Sequence, residues 1–253
     1  MSISYKQQIR WRLFFALCFS FTFTIPVFAQ TKDQLLNLIW QGIGDRQSWE
    51  EARYFMFSCQ TTWHQTVPGE HAYIWDRKTG NCRFEGATTH QDKLVVLFNT
   101  RNKKGKVFIN NNLIAPKDSA QRFLQPVLDA FANDSFWLFF PQLLKDSASL
   151  KINGAELIGS ARYYVVELPT PQQTTRIRHS KLFIDTNTGR IFQWQALSDN
   201  NEILFNLLTS GFKDVGGGLT LISAFRDTKS GIQINYPIIS ALINVEADKF
   251  LKP

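Results

Sequence analysis

Phe136-Trp137-Leu138-Phe139-Phe140 places five large apolar side chains in succession, four of them aromatic. Exposed together they would form an apolar patch of a few hundred Å², larger than a soluble protein ordinarily carries, so they must be buried or must cover something apolar. The run lacks the alternation of a half-buried strand and the length of a self-sufficient helix, and Pro141 interrupts it. It therefore reads as an inserted plug or lid. The segments on either side read as strands, which suggests a curved sheet with an apolar interior and this stretch packed over or into it.

Residues 1–29 are set apart from that fold. Lys6, Arg10 and Arg12 precede a charge-free apolar run that ends in Val27-Phe28-Ala29, the pattern of a secretory signal peptide with a small-x-small cleavage site. An N-terminal membrane anchor is the rival reading, disfavoured by Pro26 and the short core. Cleavage would start the mature chain at Gln30 and give a periplasmic or secreted protein, with residues 30–253 forming a single β domain. The formal charge of +7 loses the three cations of residues 1–29, which hold no acid, and becomes +4. So small a charge argues against a dedicated nucleic-acid surface.

Apart from Cys18, the cysteines are Cys59 and Cys82. In an oxidising compartment a disulfide between them is the natural reading, stabilising by about 3 kcal/mol in the chain-entropy model. Two buried free thiols are the alternative. A zinc site built from Cys59, His64, His71 and Cys82 has poor support, because neither cluster supplies a local cysteine pair.

Thr31-Lys32-Asp33-Gln34 is a capping-box pattern leading into Leu35, Leu36, Leu38, Ile39 and Ile43, which predicts an amphipathic helix ending near Gly42 or Gly44. Strands are expected near 52–63, 71–77, 80–86, 92–100 and 105–110, with a turn at Asn110-Asn111-Asn112. Residues 119–132 return to helical spacing, with Pro126 predicting a kink or a late start. Asn133-Asp134-Ser135 has the form of a glycosylation sequon but reads as the turn from this helix into the lid. Strand patterns resume at 150–158, 162–168, 178–185, 190–197, 203–212 and 219–226. Gly216-Gly217-Gly218 is a flexible approach to the next strand, since no helix pattern follows it as a phosphate cradle requires. Residues 232–250 supply a last edge and a mobile tail. The whole is mainly β: about ten to eleven antiparallel strands in one curved sheet or half-open barrel, with two or three helices as a lid.

No nucleophile elbow, ordered Ser, Asp and His motif or metal spacing is present in the sequence, so the chain reads as non-enzymatic and without a cofactor. The aromatics are the candidate ligand contacts: Phe136, Trp137, Phe139 and Phe140 from the lid, and Phe57, Trp75, Phe183 and Trp194 from the strands, where ordinary core packing is the competing explanation.

The order of features carries a resemblance. A signal peptide, an amphipathic helix and a strand meander are followed by Asp134-Ser135-Phe136-Trp137-Leu138-Phe139-Phe140-Pro141. Then come Ala161-Arg162-Tyr163-Tyr164-Val165-Val166-Glu167-Leu168, the strand-turn-strand of 182–191, and Phe212-Lys213-Asp214-Val215-Gly216-Gly217-Gly218-Leu219. This succession resembles envelope proteins of the lipoprotein-carrier (LolA-like) superfamily, most of all its secreted members from Bacteroidetes-type bacteria. The resemblance implies a half-open barrel whose helices cover an apolar cavity for acyl chains, as a lipid or lipoprotein carrier or sensor. It implies as partners a lipid or lipoprotein acyl chain, an envelope protein and transient membrane contact. The alternative is a structural or protein-interaction module whose concavity is filled by its own side chains.

Overall fold

The computed structural model describes residues 31–63, 66–115, 117–144, 150–169, 179–227 and 229–253. The signal-peptide reading of 1–29 and His64 lie outside them.

The expected N-terminal helix, α1 (Lys32–Ile43), begins with both halves of its capping box: Gln34 N donates to Thr31 Oγ1, and Thr31 N donates to Gln34 Oε1. A short helix, α2 (Arg46–Glu51), follows after Gly44 and is capped by Asp45. A first meander comprises β1 (Tyr54–Thr61), β2 (His71–Asp76), β3 (Asn81–Ala87), β4 (Lys93–Asn99), β5 (Gly105–Ile109) and β6 (Asn112–Leu113). The helix α3 (Lys117–Leu138) and a 3-10 turn (Phe140–Leu144) separate it from a second. That second meander comprises β7 (Lys151–Ile158), β8 (Ala161–Pro169), β9 (His179–Asp185), β10 (Ile191–Leu197), β11 (Ile203–Gly216) and β12 (Leu219–Asp227). The chain closes with β13 (Gln233–Asn235), β14 (Ile239–Leu242) and a 3-10 turn (Ala247–Phe250).

The mainly β expectation holds, with fourteen described strands instead of ten or eleven. The extra ones are short, as β6 and β13 show, and too brief to leave a pattern of their own. All pairings are antiparallel, in the order β6-β5-β4-β3-β2-β1-β13-β12-β11-β10-β9-β8-β7, and β14 pairs with β1. The expected last edge is instead the seam of the sheet. β13 bonds to β1 through Gln60 and Thr61 and to β12 through Ala224, Phe225 and Arg226, joining the two meanders. The free edges are β6 and β7, so the sheet is open.

The curl of the sheet follows from the contacts of α3. Five strand spacings separate β2 from β10, roughly 24 Å if the sheet were flat. Yet Phe139 meets Trp75 on β2 at 5.2 Å between ring centroids, and Phe140 meets Trp194 on β10 at 6.1 Å. Successive residues can touch both strands only if the sheet wraps around the helix end.

At the rim, α1 lies against the β9–β10 turn with backbone touching backbone. A Cβ on Gly42 would come within 2.6 Å of the Gly189 carbonyl carbon, and one on Gly189 would strike the Leu38 carbonyl oxygen. Gly216, Gly217 and Gly218 all hold positive φ (88°, 63° and 76°), which makes them a tight β11–β12 turn instead of a loose lead-in. The C-terminal tail also packs down: Arg83 Nη1 donates to the Lys249 and Lys252 carbonyls at 3.2 and 2.5 Å, and Phe250 stacks on Tyr54.

Candidate functional site

The aromatic stretch is the end of a helix pushed into the concavity. In α3 the buried positions are Leu124, Val127, Ala130, Phe131, Asp134, Trp137 and Leu138, a stripe at three- and four-residue spacing that runs unbroken through Pro126. Helical geometry thus continues past 132, where the sequence pattern predicted its end. Asn133-Asp134-Ser135 is helix, not a turn. Pro141, having no N–H, stops the α-helical ladder, and the chain tightens into its 3-10 turn.

Trp137, Leu138, Phe139 and Phe140 are exposed by 4% or less, which makes this stretch a plug of the core and not a lid over it. Phe139 sits among Phe55, Trp75, Phe57 and Trp49 at centroid distances of 4.9, 5.2, 5.4 and 6.0 Å. Trp137 packs against Trp194, Trp63 and Phe225 at 5.0, 5.8 and 6.2 Å. Burying an aromatic ring of this kind stabilises by roughly 4–6 kcal/mol at about 25 cal/mol per Å².

Seven of the eight candidate aromatics converge on this core: Phe57, Trp75, Phe136, Trp137, Phe139, Phe140 and Trp194. Phe183 does not. It belongs to a separate cluster with Tyr163 and Val165, because side chains alternate along β9 and its neighbours Leu182 and Ile184 are the ones that face the main core.

The Cys59–Cys82 disulfide is also corrected: both are free, buried thiols. Cys59 lies on β1 opposite His71, Cys82 lies on β3 opposite Trp75, and β2 runs between them. Two strand spacings, about 9–10 Å, exceed the reach of a disulfide, whose Cα atoms lie within about 7 Å of each other.

Between α3 and the strand mouth lies a cleft of about 350 Å³. Its apolar lining includes Trp75, Leu128, Phe131, Phe136, Phe139 and Leu143, and its rim carries Thr100, Lys103, Gln125, Asp129 and Gln142. The volume falls within the roughly 300–1,000 Å³ of small-molecule sites. Three of the sequence candidates, Trp75, Phe136 and Phe139, therefore line it, while Phe57, Trp137, Phe140 and Trp194 form the packed core behind. Leu128 and Phe131 lie on α3 but had no visible tie to a cleft until the β4–β5 hairpin was placed beside them. A larger cavity of about 570 Å³ along α1 has a mixed lining, with Asp33, Asp45 and Arg46 beside Leu36, Trp40 and Leu144.

One arrangement was not legible in the sequence. Asp134, 3% exposed, occupies the buried stripe of α3 and accepts hydrogen bonds on Oδ2 from His71 Nδ1 at 2.7 Å and Tyr73 OH at 2.8 Å. Its backbone carbonyl accepts from Tyr236 OH at 2.7 Å. His71 Nε2 donates to the Val67 carbonyl at 2.8 Å, which fixes a proton on that nitrogen. Burial works against charge on His71, but the hydrogen bond and charge of Asp134, with the Val67 carbonyl, outweigh it and hold the imidazole above its usual range. Burial, with Asp134 nearby, pushes the Cys59 thiol up, and burial does the same to the Tyr73 and Tyr236 hydroxyls. A cysteine, a histidine and an acid thus meet, but Cys59 is fully buried and its thiol is the reverse of activated. The network is an anchor that ties the helix carrying the plug to β2 and to the segment after β13. The available signal was helical spacing: Asp134 lies three residues after Phe131 and four before Leu138.

What fold and cleft define is a class: a mainly β protein whose open antiparallel sheet wraps an aromatic helix end and leaves an apolar cleft beside it. No protein-family model matches the sequence, and no curated protein matches it. Among solved structures, the chain is similar to a LolA superfamily protein from Nitrosomonas europaea, with TM-score 0.47, 15% identity and coverage of 86% of this chain and 96% of that one. It is also similar to a DUF1329 family protein from Desulfovibrio piger, with TM-score 0.42, 10% identity and coverage of 86% and 96%. A third is described as an outer membrane lipoprotein-sorting protein domain from Vibrio parahaemolyticus, with TM-score 0.41, 12% identity and coverage of 87% and 97%. One of the three carries the LolA name, and identities and scores this low transfer neither a residue nor a ligand to this chain.

Proposed function

We propose that this is a non-enzymatic envelope protein that binds an apolar or acyl-chain ligand in the cleft between α3 and the mouth of the sheet, as a carrier or sensor. The observation that supports it is the cleft itself: an aromatic floor of Trp75, Phe131, Phe136 and Phe139 beneath a polar rim, at a size suited to a small molecule. Affinity comes from apolar area removed from water at about 25 cal/mol per Å². The non-enzymatic part of the reading is supported by the burial of the one described cluster that joins a thiol, an imidazole and a carboxylate. The envelope location rests on the signal pattern of residues 1–29.

The second reading, a protein-interaction module with a self-filled core, is favoured by the near-complete burial of Trp137, Leu138, Phe139 and Phe140. The two differ in what the natively purified protein carries. Mass spectrometry of its organic extract is expected to show an amphiphile in stoichiometric amount. An extract with none, from protein that also fails to take up a fluorescent fatty acid, refutes ligand binding and leaves the interaction module.

A further inference from the structure

The cleft is flanked on one side by a cationic hairpin. The β4–β5 hairpin beside it carries Arg101, Lys103, Lys104 and Lys106, and the sequence holds no acid between Asp92 and Asp118. The hairpin is braced on the β2–β3 turn: Arg101 Nη2 donates to the Arg77 and Lys78 carbonyls at 3.3 and 2.6 Å, and Asn99 Nδ2 donates to the Thr79 carbonyl at 3.0 Å.

These four cations have different occupations. The Arg101 guanidinium is engaged by the carbonyls. Lys104 and Lys106 line another cavity, with Phe250 and Leu251. Lys103 alone of the four lines the aromatic cleft, and its ammonium makes no hydrogen bond or ion pair among the described residues. Its backbone is fixed there, at φ 57°, by the bond from its N–H to the Asn99 carbonyl at 2.9 Å. The cleft's acid, Asp129, accepts from the Gln125 amide on Oδ1 at 2.9 Å and keeps its charge, on the α3 wall and not on the hairpin that carries Lys103. An apolar trough thus ends at an unpaired cation on a braced turn.

We infer that the cleft takes a single-chain amphiphile with an anionic head, its alkyl chain along Leu128, Phe131, Phe136 and Phe139 and its head at Lys103. This rests on the ligand-binding reading above and adds the class of ligand. The volume, at the low end for small-molecule sites, suits one chain better than two. The charge selects among amphiphiles of equal chain length, since a cationic head would meet Lys103 as a like charge.

Calorimetric titration of the whole protein with dodecanoate, dodecyl phosphate and dodecyltrimethylammonium, each below its micelle concentration, tests this. Both anions are expected to bind about tenfold more tightly than the cation, a preference that shrinks at high salt. In Lys103→Glu the anions should weaken about five- to tenfold while the cation holds or improves. Ala132→Phe, which puts a ring in the cleft from α3, should weaken all three, and a melting curve confirms that each variant is folded. The relative strength of the phosphate and the carboxylate identifies the preferred head. Equal binding of anions and cation, unchanged in Lys103→Glu but lost in Ala132→Phe, overturns the head assignment and leaves the cleft. Binding that Ala132→Phe does not affect, or no binding by the wild type, removes the cleft and the head assignment together.

Discussion

Replacing Asp134 with alanine removes the acceptor that holds the plug-bearing helix to the sheet. Two donors lose their partner: His71 Nδ1, in a residue 1% exposed, and Tyr73 OH, in a residue also 1% exposed. Breaking a buried ion pair from one side costs about 3–5 kcal/mol, because the remaining charge must be neutralised or left alone in the interior. The lost Tyr73 hydrogen bond adds about 1–3 kcal/mol where no water enters. A net loss of about 4–8 kcal/mol is therefore expected, a large share of the 5–15 kcal/mol that holds a typical domain together. Asp134→Asn should lose about half as much, since an amide nitrogen in the place of Oδ2 can donate one proton to a neutral His71 Nδ1 and the other to the Tyr73 hydroxyl oxygen. The pH dependence follows from His71, whose folded pKa is raised. Its contribution is fully present below the unfolded value of about 6.5 and is lost as pH rises through the higher folded value. Wild type should thus lose stability as pH rises above about 6.5, and Asp134→Asn should lack that step. Urea unfolding of the three proteins at pH 6 and pH 8, below the midpoint at which the thiols of the unfolded chain ionise, followed by tryptophan fluorescence, measures both effects. If Asp134→Ala lies within about 1 kcal/mol of wild type, or if the loss at the higher pH persists in Asp134→Asn, the anchor does not work as argued.

Other outcomes follow from the packing. Trp137→Ala should destabilise by about 3–5 kcal/mol, as for any large buried aromatic, whereas a lid residue would melt near wild type in differential scanning calorimetry. Phe183→Ala should also destabilise but leave amphiphile titrations of the folded protein unchanged, since Phe183 belongs to the other cluster. Gly189→Ala forces a side chain onto positive φ (69°) and against the Leu38 carbonyl, so a loss of at least about 1–3 kcal/mol and weakened amide protection in α1 are expected. Cys59 and Cys82 should react with a thiol reagent only after unfolding, and reductant should leave the melting temperature unchanged. A mass corresponding to an intramolecular disulfide in native protein would contradict the strand placement.

The contrast between what was legible and what was not has a physical pattern. Local rules sufficed for the capping box at Thr31, for the strands of both meanders and for the requirement that Phe136 to Phe140 be shielded from water. Each depends on residues within a turn or two of one another. The open antiparallel class followed from counting such segments. What required the tertiary structure was everything set by pairing across the chain. β2 separates Cys59 from Cys82, so two cysteines suited to each other by compartment cannot meet. β13 is too short to announce itself, yet it bonds on both sides and turns the C-terminal segment into the seam. Phe183 and Trp194 look alike in sequence, and alternation along their strands sends them to different clusters. His71, Tyr73, Asp134 and Tyr236 span more than half the chain, and only the curl of the sheet around α3 brings an acid on a helix within 2.7 Å of a histidine on a strand. The order of residues already demanded an apolar interior and named the side chains to fill it; which of them close the core and which line the cleft depends on how the sheet pairs and curls. Burial demand is a property of each residue, whereas register and curvature belong to the whole sheet.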